Sequence, residues 1–504
     1  MPGADGYPRV AEKAVLACAR MRVTHRTRVW LITAFFALVY ATLALFALEA
    51  FPLSGDEHSY LLQGQIFARG RLSVPAPPNA QLFWVDHVVI DDTVRSKYPL
   101  GWPALLALGW LVHAPWVINP ILAALTLPLV YAIGGALHGA AAGFVAMLLL
   151  GFAPIFALNA ASFYSHVPAL YAGALYVVGL VKSFVLKKLG WASVAGLGLG
   201  LMFLIRPADA AAYGVASLAF YGSPRVLLAC GLPAALVAGL TLPYQAVQFG
   251  SPWRSGYVAF NPIGRALFGY PDPTLPSTKF ILSPTTQWWH LGSFVQLAEW
   301  LVPGTLALAL VHWLLTAERG PVRWFFILLA VLPSLALLPL PDIAGDTYGP
   351  RYLFPVLLPL AVAAGASWVR LEPWVSAHPS LVGVQTRLRT RVFVVILAAL
   401  LACAVVRSGM YLERAHVEIG RRSRLYRQVE ELGLAHAVVI VTEERSTFWA
   451  RNLADFEGPV IYVSAWGRTD EEVARLFPDR VAYSALRPPG RFEWTIVRVP
   501  STMK

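Results

Sequence analysis

Cysteine and charge are both scarce in this chain. Its 504 residues include three cysteines, Cys18, Cys230 and Cys403, whose positions form neither a disulfide framework nor the spacing of a metal site. Charged residues make up 13% of the sequence, and the net charge is +12. The basic residues lack the stripe interleaved with aromatics that a nucleic-acid surface needs. These absences argue against a disulfide framework, a cysteine metal site and a nucleic-acid partner.

Hydrophobic residues, by contrast, make up 57% of the chain, and its mean hydropathy is +0.59. Several runs reach the roughly 17–25 residues that a helix needs to cross a bilayer. The sequence predicts a polytopic α-helical membrane protein with about eleven spans. The predicted spans are 28–50, 117–138, 140–158, 166–184, 191–205, 208–222, 226–248, 296–316, 324–341, 352–368 and 391–411. Segment 101–114 is apolar but short, and we predict an interfacial or re-entrant helix there.

The positions of the basic residues predict the topology. Residues 1–27 form a basic arm that we predict to be cytoplasmic, with the first span retained rather than cleaved as a signal peptide. The later connections on the same side are also basic and carry Lys187, Lys188, Arg225, Arg319, Arg323, Arg370, Arg387, Arg389 and Arg391. This assignment predicts a multi-pass protein of the inner or plasma membrane. It leaves the loop 51–116 and the C-terminus on the outer, extracytoplasmic face.

The last part of the chain, residues 412–504, has a different pattern. A charged helix is predicted at 413–433, followed by short apolar strand patterns at 436–442, 460–463, 481–484 and 492–499 and a helix at 470–477. Strands alternating with helices predict a small α/β domain outside the membrane. No glycine-rich phosphate loop opens its helices, so no nucleotide is predicted.

An adjacent acidic pair, Asp56 and Glu57, comes directly after the first apolar run. Carboxylates near a membrane are costly to desolvate, and ionisable groups at that depth tend to be functional. The alternative is a cluster of acids that simply ends a helix in water. The pair is the best candidate for chemistry in the sequence.

Four local motifs carry a resemblance to a known family. They are Gly55-Asp56-Glu57-His58-Ser59-Tyr60, Lys97-Tyr98-Pro99-Leu100-Gly101, Gly250-Ser251-Pro252 with Arg254 and Tyr257, and Tyr348-Gly349-Pro350-Arg351-Tyr352. With these four motifs in this order, the chain resembles the GT-C superfamily of integral membrane glycosyltransferases. The nearest branch contains the protein O-mannosyltransferases and the lipid A aminoarabinose transferases. The likeness covers residues 30–410 approximately, and predicts a GT-C-like catalytic domain at 28–411.

The resemblance implies transfer of a hexosyl or pentosyl group from a polyprenyl-phosphate donor. The acceptor would be a glycan, a lipid or a protein on the outer face. The transfer would proceed by a single inverting displacement, in a protein surrounded by membrane lipids. Asp56 is expected to be the general base, because the first acid of the pair is the catalytic one in the relatives. Glu57 is expected to orient Asp56, contact the acceptor or help to hold a metal.

The departing phosphate needs cations. Arg351 is the first candidate, because its guanidinium can take two phosphate oxygens; the alternative is an interfacial arginine that snorkels among aromatic residues. Lys97 and Arg254 are further candidates, and Arg206 is predicted to pair with Asp209. The residues expected to contact substrate are Tyr60, His58, Tyr98, His166, Tyr257, Tyr348 and Tyr352.

No metal site is predicted, although the need for a divalent cation stays open. His58 and His87 lie in the same loop as Asp86, Asp91 and Asp92, but their spacing matches no compact metal motif.

Two other functions remain as alternatives. A transporter or flippase of lipid-linked sugars would carry internal repeats and charges near mid-membrane. An O-antigen ligase or polymerase would lack the early acidic pair.

Overall fold

The computed structural model describes residues 7–83, 85–218, 223–260, 284–315, 321–336, 345–376, 386–441, 452–465, 467–488 and 492–500. The first group of helices comprises α1 (Tyr7–Thr42), α2 (Gly55–Ala68), α3 (Gly101–Leu111), α4 (Ile118–His138), α5 (Ala140–Gly151), α6 (Pro154–Ala161), α7 (His166–Leu186), α8 (Leu189–Ile205) and α9 (Pro207–Ser217). The second comprises α10 (Pro224–Ala238), α11 (Thr241–Phe249), α12 (Gly256–Phe260), α13 (Pro284–Trp300), α14 (Thr305–Leu315), α15 (Pro321–Leu335), α16 (Leu357–Ser376), α17 (Thr386–Glu431) and α18 (Asp470–Ala474).

Six helical stretches in the described residues are long and apolar enough to cross a membrane. They are His25–Ala47, Pro115–His138, His166–Leu186, Pro224–Phe249, Arg351–Leu371 and Thr390–Glu431. A seventh is formed if α5 and α6, bent by 61° at their junction, count as one broken span. The predicted spans at 191–205, 208–222, 296–316 and 324–341 correspond to shorter helices, α8, α9, α14 and α15. The count of eleven is therefore not confirmed.

Two of the long helices, α7 and α16, form the centre of the bundle, and most of their residues are buried. Small residues let neighbouring backbones approach closely, as is usual in membrane bundles. A Cβ on Gly365 of α16 would lie 2.5 Å from the Ala142 carbonyl oxygen of α5. By contrast, α10 and the first half of α17 expose most of their apolar side chains, as expected of helices that face lipid.

Helix α17 runs without a break for 46 residues, which is about 69 Å at 1.5 Å per residue. A membrane core takes roughly 30 Å of that length, so the helix extends far beyond it. The predicted span 391–411 and the predicted charged helix 413–433 are thus one element. The domain boundary placed between residues 411 and 412 lies inside this helix.

After α17 comes a four-stranded sheet of β6 (Ala437–Val441), β7 (Val460–Ser464), β8 (Val481–Leu486) and β9 (Thr495–Arg498). The order of the strands across the sheet is β7–β6–β8–β9. The three strands β7, β6 and β8 are parallel, and β9 is antiparallel to β8. The buried strand β6 is a continuous apolar run, as expected for the centre of a parallel sheet.

The loop between α2 and α3 lies against this sheet. It contains β1 (Val74–Pro75), β2 (Val88–Ile90) and β3 (Thr93–Ser96), paired antiparallel in the order β1–β3–β2. Leu82 and Phe83 pack into the apolar core of the four-stranded sheet. Arg69 at the end of α2 pairs with Asp455 at 3.1 Å. The first loop therefore joins the membrane helices to the C-terminal sheet.

A short hairpin, β4 (Gly345–Asp346) with β5 (Gly349–Pro350), precedes Arg351.

Candidate active site

A capping box begins helix α2, directly after the first apolar helix. The Ser54 hydroxyl accepts a hydrogen bond from the Glu57 backbone N–H at 3.3 Å, and the Glu57 carboxylate accepts from the Ser54 backbone N–H at 3.1 Å. This reciprocal pair satisfies N–H groups that the first turn of a helix leaves without partners. Capping is thus done by Ser54 and Glu57, and Asp56 is left available for other contacts.

The Glu57 carboxylate is fully buried and holds the surrounding backbone together. One oxygen also accepts from the Leu53 N–H at 2.9 Å, and the other accepts from the Phe163 N–H at 2.8 Å. Burial raises the pKa of Glu57 to about 7, against the effect of these backbone N–H groups. Of the expected roles, orientation of Asp56 fits this geometry. Contact with an acceptor does not, because the side chain has no exposed surface.

The Asp56 carboxylate faces the opposite way and stays partly accessible, with 19% of its side chain exposed. One oxygen accepts from the Arg351 Nη2 at 3.2 Å. The other accepts from the Tyr98 hydroxyl, and the His87 Nε2 lies 3.7 Å from it. A carboxylate, a guanidinium, a phenol and an imidazole therefore meet at one point.

Arg351 is buried at the start of a 3-10 turn that leads into α16. Its Nη1 donates to the Tyr164 hydroxyl at 2.5 Å, and its guanidinium carbon lies 4.2 Å from the centre of the Tyr164 ring. These contacts orient the guanidinium, so that Nη2 points at Asp56. An arginine snorkelling to the membrane surface would not be buried in this way, so the geometry favours a built anion site.

The loop that carries His87 and Tyr98 is held on α2 by small polar side chains. The Ser59 hydroxyl donates to the His87 carbonyl and shares a hydrogen bond with the Ser96 hydroxyl, both at 2.7 Å. A Cβ at Gly55 would lie 2.6 Å from the Asp86 Cβ, so glycine is what lets this loop come so close. The strand pair β2–β3 thereby brings three flanking side chains, those of His87, Lys97 and Tyr98, close to Asp56.

Lys97 lies in an aromatic enclosure beside Asp56. Its ammonium is 5.2, 5.3 and 4.8 Å from the ring centres of Tyr98, Tyr257 and Phe260. Burial lowers the pKa of Lys97 to about 8, although the negative charges of Asp56 and Asp86 act in the opposite direction. Lys97 is thus mostly charged at neutral pH, but its charge is sensitive to modest alkalinity.

Electrostatics at the site favour an ionised Asp56. Burial by itself raises the pKa of Asp56, whereas His87, Arg351, the hydrogen bond from Tyr98 and Lys97 lower it, and the result lies below the ordinary value. Burial, together with Lys97, lowers the pKa of His87 to about 4 despite Asp56. His87 is therefore neutral at pH 7, and Arg351 is the cation that pairs with Asp56.

The other residues expected at the site fall into two groups. Tyr60 lies against Tyr98, with ring centres 4.3 Å apart, and its hydroxyl shares a hydrogen bond with Ser165. The Tyr257 ring centre lies 5.8 Å from that of Tyr98. Tyr352 lies beside Arg351, whose guanidinium carbon is 5.5 Å from the centre of its ring. These three tyrosines surround the Asp56–Arg351 pair.

The second group lies farther from Asp56 or more deeply in the protein. His58 packs edge-on against Phe51, His166 stacks on Tyr164, and Tyr348 packs against Tyr164. All three side chains are almost completely buried, so none offers a surface to a substrate in this conformation. The histidine rings have no hydrogen-bond partner within the described part of the chain.

Arg254 is exposed in the turn before α12, and no ion pair joins its side chain to another described residue. Its proposed contact with phosphate stays a prediction. Arg206, in contrast, pairs with Asp209 at 2.5 Å, as predicted from their spacing. Among the described residues no three His, Cys, Asp or Glu side chains converge as metal ligands.

Sequence reasoning overlooked two residues of this site. Tyr164, which binds Arg351, lies two residues before His166 and carried no signal of its own. The cap formed by Ser54 could have been recognised, because Ser-x-x-Glu before a helix is the signature of a capping box. That signature already separates the role of Glu57 from that of Asp56.

Two solved structures share this fold over nearly the whole chain. ArnT from Cupriavidus metallidurans in the apo state matches with a TM-score of 0.57 and 15% identity, covering 94% of this chain and 98% of that one. ArnT bound to undecaprenyl phosphate matches over the same shares with a TM-score of 0.56 and 14% identity. No protein-family model matches the sequence, and no curated protein matches it either. At this identity the similarity concerns the fold alone, which this chain shares with the two ArnT structures over nearly its whole length.

Proposed function

We propose that this chain is an integral membrane glycosyltransferase that moves a sugar from a polyprenyl-phosphate donor to an acceptor hydroxyl. The observation that carries the proposal is the partly exposed Asp56 carboxylate, which is paired with Arg351 and close to Lys97. Transfer from a lipid phosphate needs a base for the acceptor and cations for the leaving group. The binding of undecaprenyl phosphate by ArnT, which has a similar fold, supports the same class of donor.

The donor phosphate would bind between Arg351 and Lys97. Tyr164 holds one nitrogen of the Arg351 guanidinium, so the other nitrogen, now on Asp56, is the one that can turn to a phosphate oxygen. A phosphate is a strong competitor, because charge-assisted hydrogen bonds to it are short and can be bidentate. The aromatic rings around Lys97 keep water away from the bond that breaks.

Donor binding would also prepare the base. As the phosphate takes Arg351, Asp56 loses its cationic partner and its pKa rises toward the range in which a carboxylate accepts a proton. The acceptor oxygen attacks the anomeric carbon, and its proton passes to Asp56. The bond from that carbon to the phosphate oxygen breaks, and polyprenyl phosphate leaves with the electron pair. Attack opposite the leaving group inverts the configuration at the anomeric carbon.

The remaining side chains have supporting roles in this proposal. Glu57 fixes the first turn of α2, and Tyr98 holds the Asp56 carboxylate in place. Tyr60, Tyr257 and Tyr352 would form walls of the substrate cavity. For His58, His166, Tyr348 and Arg254, substrate contact stays a prediction, because their present positions do not reach Asp56.

The same proposal includes the topology. A cytoplasmic arm at residues 1–27, a catalytic membrane domain at 28–411 and an extracytoplasmic domain at 412–504 agree with the bias of the basic residues. Asp56 and the first loop, 51–116, would then face outward. The contact between Arg69 and Asp455 supports a common side for this loop and the C-terminal sheet.

Replacing Asp56 tests the proposal. Purified Asp56→Asn protein should transfer sugar from a polyprenyl-phosphate donor about 10²- to 10⁴-fold more slowly than the wild type, the usual contribution of a general base. Asp91→Asn is the matched control, since Asp91 pairs with Arg95 in the same loop, away from Asp56. Near wild-type turnover by Asp56→Asn would remove Asp56 as the base.

A further inference from the structure

A second charged cavity lies beside helix α17, apart from the residues that surround Asp56. It has a volume of about 690 Å³, and we call it the arginine cavity. Its principal lining residues are Glu299, Trp300, Arg407, Tyr411, Arg414 and Arg422. Thr347 of the β4–β5 turn also lines it.

The spacing of residues in α17 explains why the arginines converge. Arg407, Tyr411, Arg414 and Arg422 follow one another at intervals of four, three and eight residues, which places them on one face of a helix. The last residue of α13, Trp300, stacks on Tyr411 with ring centres 3.8 Å apart and planes inclined by 5°. A flat aromatic wall therefore borders a row of guanidinium groups.

Two of these arginines have no carboxylate partner among the described residues. Arg422 donates to Glu418 at 2.9 Å and to the Leu53 carbonyl at 2.8 Å. Arg407 donates to the Glu299 backbone carbonyl at 3.1 Å, and Arg414 lies over the Tyr411 ring. Neither Arg407 nor Arg414 forms an ion pair within the described part of the chain. Because Glu299 and Glu418 line the cavity beside Arg407, Arg414 and Arg422, three positive side chains face two negative ones, and the lining carries an excess of one positive charge that an anion could neutralise.

The cavity also lies where lipid headgroups are expected. The preceding part of α17 exposes Val392 and Ile396, with 48 and 44% of each residue accessible, on the same face of the helix as Arg407. Such side chains face hydrocarbon, and Arg407 lies about three turns beyond Ile396. Tryptophan and tyrosine are enriched at the membrane–water interface. The order along this face is therefore lipid-facing aliphatic side chains first, and then the arginines and aromatic rings.

We propose that the arginine cavity binds the phosphate headgroup of an anionic lipid. Arg407 and Arg414 would bind the phosphate oxygens, for which the planar guanidinium fork is well suited. The acyl chains would continue along Val392 and Ile396 on the same face of α17, and the aromatic pair would cover the glycerol region. Basic pockets between membrane helices bind anionic headgroups in this way. The proposal does not depend on sugar transfer.

Native mass spectrometry of the full chain in a neutral detergent tests this binding. Phosphatidylglycerol and phosphatidylcholine are titrated separately, and inorganic phosphate forms a third arm. The wild type should bind phosphatidylglycerol more tightly than either of the other two. The double variant Arg407→Gln/Arg414→Gln should lose roughly tenfold or more of that affinity, since each basic residue at a membrane surface contributes about 1 kcal/mol.

A second pair of arginines on the same helix provides the control. Arg421→Gln/Arg424→Gln removes the same charge from α17, but neither residue lines the cavity. This control should bind phosphatidylglycerol as the wild type does. Equal losses in both double variants would overturn the proposal, as would equal binding of the two lipids by the wild type. If inorganic phosphate binds as tightly as phosphatidylglycerol, the ligand is a soluble anion and the assignment to a lipid is wrong.

Two precautions keep the result interpretable. Arg422 is not replaced, because it also holds the Leu53 carbonyl next to the Glu57 cap. If the double variant fails to fold, Arg414→Gln alone replaces it, since Arg414 is exposed and donates no hydrogen bond within the described residues. If this single variant binds phosphatidylglycerol as tightly as the wild type, the proposal that the arginine cavity binds the headgroup is wrong.

Discussion

Arg351 donates a hydrogen bond to the Asp56 carboxylate at 3.2 Å, although the two residues lie 295 positions apart in the chain. The pair brings the start of α2 to the turn before α16. Because Tyr164 fixes the other end of the guanidinium, Arg351 has one nitrogen for orientation and one for an anion. In the proposed reaction, Asp56 occupies that second position until a phosphate displaces it.

The hydrogen bond from Tyr98 should control the acid limb of the pH–activity profile. It is among the contacts that lower the pKa of Asp56, so removing the hydroxyl in Tyr98→Phe should raise this pKa. A base with a higher pKa is protonated at higher pH, and the acid limb should therefore move upward. Initial rates at saturating donor, measured between about pH 3 and 8, give this limb, because the bound phosphate takes Arg351 from Asp56 and so raises its pKa.

Tyr60→Phe is the matched control for that experiment. Tyr60 packs on Tyr98, but its hydroxyl bonds to Ser165 instead of Asp56, so its acid limb should stay in place. The assignment would be wrong if both variants moved the limb equally, or if Tyr98→Phe left it unchanged.

Lys97 should determine the alkaline limb. Burial disfavours its charge and lowers its pKa to about 8, so the charged fraction falls as the pH rises through 8 and donor binding should weaken. In Lys97→Arg the cation stays charged throughout this range, and the decline should move beyond pH 10. The apparent affinity for donor between pH 7 and 10 is the measurement, with the exposed Lys188→Arg as a control. An alkaline limb that persists in Lys97→Arg would exclude Lys97 as its origin.

Arg351→Lys should be far from conservative. A lysine keeps the positive charge but lacks the planar fork that contacts Tyr164 and Asp56 together. We expect the rate at subsaturating donor to fall about 10²-fold or more, because loss of a positioned charge-assisted contact weakens both binding and orientation.

Tyr164→Phe separates orientation from charge in that experiment. It leaves Arg351 intact and removes only the hydroxyl that accepts from Nη1, so its loss should be smaller, roughly tenfold. Transfer rates at several donor concentrations distinguish the two variants. Equal activity of Arg351→Lys and wild type would contradict the assignment of this guanidinium to the donor phosphate.

The capping box should act as one unit in stability. Ser54→Ala should lower the free energy of unfolding by about 1 kcal/mol. Glu57→Ala should cost about 3 kcal/mol, because it leaves buried N–H groups of Leu53 and Phe163 without an acceptor. Since the two side chains bond to each other's backbone, the double variant should lose less than the sum. Thermal or denaturant unfolding in detergent provides these values; strict additivity would mean that the two act independently.

Some features of this protein follow from the sequence alone. Long apolar runs must be buried in lipid or in protein, so the membrane helices could be predicted from length and hydropathy. The strand patterns after residue 436 and the pairing of Arg206 with Asp209 are local, and they depend only on neighbours in the chain. The Ser54-x-x-Glu57 cap is local as well, and was available to the same reasoning.

Other features were decided by the tertiary structure. The short helices α8, α9, α14 and α15 bury some apolar side chains and expose others, such as Leu197, Val215, Leu314 and Trp324. Hydropathy alone does not tell such short helices from full spans. The contacts of Asp56 with Arg351 and Tyr98 come from distant segments that meet only when the helices pack. Asp56 and Glu57 are adjacent in sequence, yet successive side chains on a helix diverge by about 100°. Consequently one acid is buried as a cap, and the other faces the cations.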